Sequence, residues 1–342
     1  MTLRESDVRP ADLLAEYLRL NAEDGRRLLA AAGDLQDRPC PGCGADVARM
    51  AFAKNGFTLV RCEDCDSLYV NPVPTANGLA AFYRNSPSAD YWANVFFPAV
   101  AEPRRQAIYR PRAERIARIA SANRVAVRHV VDVGAGAGLL LEEFFRLHPA
   151  AEIRAVEPGA AQASALRDKG IETFEGFAGA AALDPAWTAS ADVVTCFEVL
   201  EHVTEPTALL SDLAALARPG GLVVVSGLSG SGFDIRVLGE RSKPVSPPHH
   251  LTFLSVAGAE AAIGRCGLES LGVTTPGELD VDIVRNAALE NPAWVEDPTI
   301  RRLVLEANDE ERRRFQDTLK ESRRSSHMWI VARRPEGSAA RS

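Results

Sequence analysis

The chain has 342 residues, 46% of them hydrophobic, with a formal net charge of −7. That length suits two domains or one large domain with additions, and the acidic balance argues against a nucleic-acid or anionic-membrane partner. No run approaches a membrane span and the start has no apolar signal region, so a soluble, cytoplasmic protein is expected.

Residues 11–31 read as a helix, with Leu13, Leu14, Tyr17 and Leu18 followed by Leu28 and Leu29. It is expected to dock or to act as a lid, and no chemistry is assigned to it. Next come Cys40-Pro41-Gly42-Cys43, eighteen intervening residues, and Cys62-Glu63-Asp64-Cys65. Two such knuckles match a four-thiolate zinc site, with Phe52 to Val60 as the hairpin of a zinc ribbon. Cys40, Cys43, Cys62 and Cys65 fill every position of a tetrahedral ion, which makes the metal structural; a redox dithiol is the other reading. Basic and acidic residues balance four against four between 38 and 70, so the ribbon offers no face for RNA. A strand and proline turn over 68–75 lead to a short helix over 79–83. Tyr83, Tyr91 and Trp92 then stand ahead of the main domain, where they close over a ligand or pack between ribbon and core. Arg104 to Ile119 reads as an amphipathic basic helix.

The stretch Val130-Val131-Asp132-Val133-Gly134-Ala135-Gly136-Ala137-Gly138 is a β-branched run ending in three glycines, and Leu139 to Phe145 reads as a helix. Strand, glycine turn and helix let a ligand approach the main chain and present unpaired N–H groups to it. The next strand ends in Glu157, about twenty residues past the last glycine, where a carboxylate meets two ribose hydroxyls. A nicotinamide site would want a small residue where Leu139 stands. The phrase resembles the first motif of the class I S-adenosylmethionine (SAM) methyltransferases. The resemblance implies that Gly134, Ala135, Gly136 and Gly138 cradle the cofactor, that Asp132 braces the turn, that Glu157 and Pro158 meet the ribose, and that Phe177 lies near adenine.

Helices and strands alternate onward to Leu222–Ser226, predicting a parallel sheet covered on both faces. After the strand 192–197 comes Glu198-Val199-Leu200-Glu201-His202, similar to a phrase of SAM enzymes generally. Phe197 and Glu198 are expected at the cofactor and Glu198 also at the reaction. In ubiquinone-pathway O-methyltransferases the positions of Glu198, Glu201 and His202 hold a divalent metal; here His202 is read as bracing the next helix or touching substrate. The loop Ser246 to Ser255 carries His249 and His250, either of which suits a general base near neutrality; related phrases put a histidine at the acceptor. Residues 229–248 form a long loop whose Arg236, Arg241 and Lys243 meet a phosphate or carboxylate, or are solvated. Asp280 is read as a sugar contact or a strand end.

The whole layout resembles zinc-ribbon methyltransferases found with sugar, polysaccharide and antibiotic pathways, over about residues 38–334. The fold expected is α/β: a Rossmann-like, seven-stranded SAM methyltransferase domain with an N-terminal zinc ribbon and a helical insert before the last strand. The boundaries read as an N-terminal helix over 1–37, ribbon over 38–75, linker and lid helices over 76–124, core over 125–335 with the insert at about 284–324, and a tail over 336–342. The cofactors implied are S-adenosyl-L-methionine and a structural Zn²⁺. The acceptor implied is a small molecule, a sugar or secondary-metabolite intermediate, methylated at a hydroxyl in the first place and at carbon of a nucleotide-linked sugar in the second. An RNA methyltransferase and a non-catalytic SAM-binding protein stand as other classes, and a monomer or homodimer is expected.

Overall fold

The computed structural model describes residues 4–31 and 35–337, so all but the start of the expected tail lies outside the described residues. Its strands, in chain order, are β1 (Leu35–Gln36), β2 (Ala48–Lys54), β3 (Phe57–Cys62), β4 (Leu68–Val70), β5 (Val73–Pro74), β6 (His129–Val133), β7 (Glu152–Glu157), β8 (Glu172–Glu175), β9 (Ala191–Phe197), β10 (Ala217–Leu228), β11 (Thr252–Phe253), β12 (Glu269–Thr274) and β13 (His327–Arg333).

Seven of these form one sheet in the order β12-β13-β10-β9-β6-β7-β8. The strands from β10 to β8 pair in parallel, and β13 runs antiparallel between β10 and β12. Strands buried on both faces read as unbroken apolar runs, and alternate residues divide between two cores. Val131, Val194, Val223 and Val225 join Leu209, Leu210 and Leu213 of helix Pro206–Leu216 on one face. Val130, Val193, Leu222 and Val224 join Ile116, Leu140, Leu141 and Phe144 of helices Arg110–Ala122 and Leu139–Leu147 on the other.

The ribbon is a second sheet in the order β11-β4-β3-β2. Its β2–β3 hairpin turns through Asn55 and Gly56, both at positive φ (52° and 85°), as a tight hairpin requires. Its fourth strand, β11, comes from far along the chain: Thr252 pairs with Tyr69 and Phe253 with Leu68. The ribbon is thus closed by the segment that follows the two histidines.

Two elements differ from the sequence reading. The basic helix over 104–119 is part of a longer helical run containing two wide, π-type turns, Trp92–Phe96 and Arg105–Tyr109. Pro98, Pro103 and Pro111 lie in this run, and each removes an N–H and crowds the carbonyl four residues back. The helical insert begins at Asp280 rather than 284: helices Asp280–Glu290, Pro298–Glu306 and Asp309–Glu321 separate β12 from β13. Asp280 and Asp282 open the first of them, where the helix dipole favours acids. Among the described residues no helix is long and apolar enough to cross a membrane.

Candidate active site

The glycine turn sits at the carboxyl end of β6, between β9 and β7. Gly134, Gly136 and Gly138 all have positive φ (74°, 54° and 75°). Their roles differ. A Cβ on Gly134 would stand 2.5 Å from a methyl of Val199, and one on Gly138 2.6 Å from Leu166, whereas one on Gly136 would meet nothing within 4 Å. Two glycines admit packing, and the middle one opens onto a cavity of about 450 Å³.

Glu157, at the end of β7, accepts the amide of Gly136 on one oxygen and that of Gly159 on the other, each at 2.9 Å. Burial raises its pKa against these two bonds. Asp132 accepts the Thr195 hydroxyl at 2.6 Å, and burial pushes it up to about 7. This turn fits a nucleoside ligand: the Asp132 carboxyl and the unblocked main chain at Gly136 face the cavity between apolar walls from Leu139, Leu140 and Phe197, while Glu157 is bonded to the Gly136 amide and is not itself among the lining residues. Ala135 shares that lining. Pro158 follows Glu157 outside it, and Phe177 is 75% exposed at the sheet edge, also outside it.

The opposite wall carries the histidines. His250 places Nδ1 2.6 Å from the Pro244 carbonyl. A carbonyl only accepts, so Nδ1 holds the proton and Nε2 keeps its lone pair. His249 is buried among Tyr17, Phe82 and Tyr83, with Nε2 2.8 Å from the Ser88 hydroxyl. Ser88 in turn donates to Asp24, whose carboxylate also takes the Ser86 hydroxyl and the Ser88 amide at 2.9 Å each. With Ser88 donating to Asp24, Nε2 of His249 must donate to Ser88. Burial, with the neighbouring imidazole, drives His249 to about 3; burial drives His250 to about 4. Both rings are neutral at pH 7.

Glu198 leaves β9 at a φ of 57°, a strained value for a non-glycine residue. Its carboxylate is held by Arg112 at 2.7 Å, Ser226 at 2.7 Å and His327 at 2.8 Å, and stays 36% open to the cavity. Burial would raise its pKa, but His327 and Arg112 hold it well below the usual range. Glu201 is buried with one oxygen lacking a partner, and burial together with the Glu198 charge raises it well above the usual range. His202 stands 3.4 Å from the Tyr83 hydroxyl and bonds the His249 backbone.

The remaining expected contacts divide. Tyr83 and Trp92 line the cavity, whereas Tyr91 packs beside Leu14 and Tyr17 of the N-terminal helix. Lys243 lines it, while Arg236 pairs with Asp66 of the ribbon and Arg241 with Glu240. Asp280 is buried and takes the Ser325 hydroxyl, the Ser326 amide and the Gln316 amide, an internal junction rather than a free sugar contact. Sequence reasoning missed Asp24 and Ser88 behind His249, and Arg112, Ser226 and His327 around Glu198. One signal existed: the apolar stripe Leu14, Tyr17, Leu28 is interrupted on the same buried face by Asn21 and Asp24.

The ribbon brings its four sulfurs within 4.8 Å of one another, with Cys40 3.5 Å from Cys65 and Cys43 3.5 Å from Cys62. Ligands about 2.3 Å from a tetrahedral ion lie ~3.8 Å apart, so the quartet fits zinc. Among the described residues it is the only group of three or more such side chains that converges in this way; Glu198, Glu201 and His202 do not. The ribbon also grips the histidine loop. Arg38 donates to the carbonyls of Val70, Thr204 and Leu251 and to the Thr252 hydroxyl, and Asn55 donates to Pro247 at 2.7 Å.

Sheet order, glycine turn and acid at the end of β7 define a Rossmann-like methyltransferase fold. The chain matches a family profile described as "Methyltransferase domain" over residues 104–262. It is 32% identical over 155 residues to the ubiquinone biosynthesis O-methyltransferase of Xanthomonas euvesicatoria pv. vesicatoria, across 42% of this chain and 64% of that one. It is 39% identical over 109 residues to the enzyme of that name from Cupriavidus pinatubonensis, across 30% and 42%. The chain thus spans less than two thirds of the length of these curated relatives. Among solved structures it resembles the methyltransferase in complex with the Haloferax volcanii Trm112 methyltransferase activator, with TM-score 0.46 and 20% identity over 72% of this chain and 97% of that one.

Proposed function

We propose that the protein transfers a methyl group from S-adenosylmethionine to a hydroxyl of a small-molecule acceptor, with His250 taking the acceptor's proton. One observation carries this reading: the glycine turn opens, through Gly136, onto the same cavity that His249 and His250 line from the other side. Bound S-adenosylmethionine supplies an electrophilic methyl on a sulfonium that leaves as a neutral thioether. The chain's work is then alignment, exclusion of water and removal of one proton. Glu157 and the Gly134–Gly138 turn hold the nucleoside end. Trp92, Tyr17 and Tyr83 wall the cavity against water.

His250 is favoured as the base over His249 because its Nε2 is unengaged, while Nε2 of His249 is tied to Ser88 and Asp24. The neutral imidazole accepts the hydroxyl proton as the oxygen–methyl bond forms, and the nearby Glu198 charge favours the resulting imidazolium. His249 serves as the buried anchor of the loop.

Isothermal titration of the full chain with S-adenosylhomocysteine, followed by incubation with hydroxylated acceptors and mass detection of methyl transfer, tests the reading. His250→Ala is expected to lower turnover by ~100-fold or more while homocysteine-adduct affinity stays within about twofold. Absence of binding heat ends the cofactor assignment; full turnover in His250→Ala ends the assignment of the base.

A further inference from the structure

A second cavity, of about 350 Å³, adjoins the first and shares Arg9, Arg104, Arg112, Glu198, Leu228 and Pro244 with it. It runs away from the glycine turn, toward Pro276–Asp280 and Trp329. In a protein of net charge −7 its walls are unusually basic. The acids there are already answered: Glu198 by Arg112 and His327, Glu278 by Lys320, Asp280 by internal donors.

Two of the cations, Arg9 and Arg104, are not. Arg104 makes one long bond to the Val8 carbonyl, lies over the Trp92 and Phe97 rings, and has a buried Nε with no partner. Burial lowers its pKa, Tyr109 and Glu198 oppose that shift, and Arg9 and Arg112 add to it. Arg9 has no carboxylate within 4 Å among the described residues, although its charge reaches the buried Asp234 carboxylate. A buried guanidinium with an orphaned donor is costly unless an anion completes it. The planar donor fork matches a phosphate or a carboxylate.

We infer that the acceptor is an organic anion whose phosphate or carboxylate sits between Arg9 and Arg104, where the two cavities meet. This rests on the methyltransferase reading and extends it to the acceptor's class. The anion anchors the far end of the molecule, leaving the reacting hydroxyl near His250 and Glu198. Of the three cations the sequence offered for this role, Arg236 and Arg241 are engaged elsewhere and Lys243 lines the first cavity.

The test uses the full chain by isothermal titration at low chloride. S-adenosylhomocysteine is titrated alone; inorganic phosphate, pyrophosphate and malonate are then titrated with and without it. Wild-type protein is expected to bind at least one of the three, more weakly as salt rises, and the tightest of them identifies the anionic group. Arg104→Gln and Arg9→Gln are each expected to weaken that probe ~10-fold or more with the homocysteine adduct unaffected. Arg104→Lys keeps the charge and is expected to retain part of the binding. Melting curves confirm folding, and Arg9→Gln, half-exposed, carries the test if Arg104→Gln does not fold. Heat from the homocysteine adduct without heat from any anion overturns this inference and leaves the cofactor reading standing. Heat from an anion without heat from the adduct overturns the cofactor reading and, with it, the assignment of that anion to a methyl acceptor. Equal weakening of the adduct in both variants also overturns it, because the arginines would then serve the cofactor's own carboxylate.

Discussion

The two walls of the cavity are built on different principles. The wall around Gly136 is local: one strand, one turn and one helix, with Glu157 on the adjacent strand closing it. The wall around His249 and His250 is assembled from four distant segments. The loop itself has little regular structure, and it is positioned by β4 through β11, by Arg38 and Asn55 of the ribbon, by Asn21 and Asp24 of the N-terminal helix, and by Ser88. The first wall is held by backbone geometry and the second by long-range polar contacts. The cysteine quartet therefore belongs to the histidine side of the molecule, though none of the four cysteines lines the cavity.

If that division holds, damage to each half should separate cofactor binding from turnover. Stripping the metal, or Cys40→Ser, is expected to have the largest effect. Methyl transfer should be lost, while S-adenosylhomocysteine affinity by calorimetry stays within about twofold; parallel loss of both would show the walls to be one unit. Gly134→Ala comes next. Overpacking against Val199 at positive φ should cost roughly 3–4 kcal/mol in denaturant unfolding. Its companion Gly136→Ala should cost only about 1 kcal/mol yet weaken the adduct ~10-fold or more by closing the open face; unchanged affinity there would mean the ligand lies elsewhere. Arg38→Met leaves three carbonyls short of a donor and should cost about 2–3 kcal/mol, with turnover falling more than adduct affinity.

The last test concerns pH. His249 has its folded pKa depressed to about 3, against an ordinary value near 6.5. Below about pH 6.5 the unfolded chain binds a proton that the folded chain refuses, so this histidine withdraws stability as pH falls from there toward 3. Between pH 7.5 and 5 its share is about 2 kcal/mol. His249→Asn should therefore lose less stability than wild type over that interval, whatever Asp132 and the other buried acids contribute in both. Equal losses would place the imidazole in contact with water.

The glycine turn, the alternating core and the cysteine quartet were legible because each is written in consecutive or regularly spaced residues. Val130 to Gly138 specifies strand and turn within nine positions, and the helix begins at Leu139. The insert's start was misplaced because Asp280 looks alike as a strand terminator and as a first-turn helix acid. Glu198 was legible as important, but Arg112, Ser226 and His327 come from a helix and two strands whose adjacency only the folded sheet creates. Asp24 and Ser88 are separated from His249 by 225 and 161 positions in sequence, and no local pattern links them. Asn21 and Asp24 did leave a trace, since polar residues within an apolar helical stripe need buried partners.

The pairing of Thr252 and Phe253 with Tyr69 and Leu68 bears on how such a protein can be re-engineered. A graft of residues 246–255 alone would arrive without the sheet edge that sets its register. To exchange the histidine wall, the ribbon, the first long helix and the imidazole-bearing segment would have to travel as one cassette, leaving the half around the glycine turn in place.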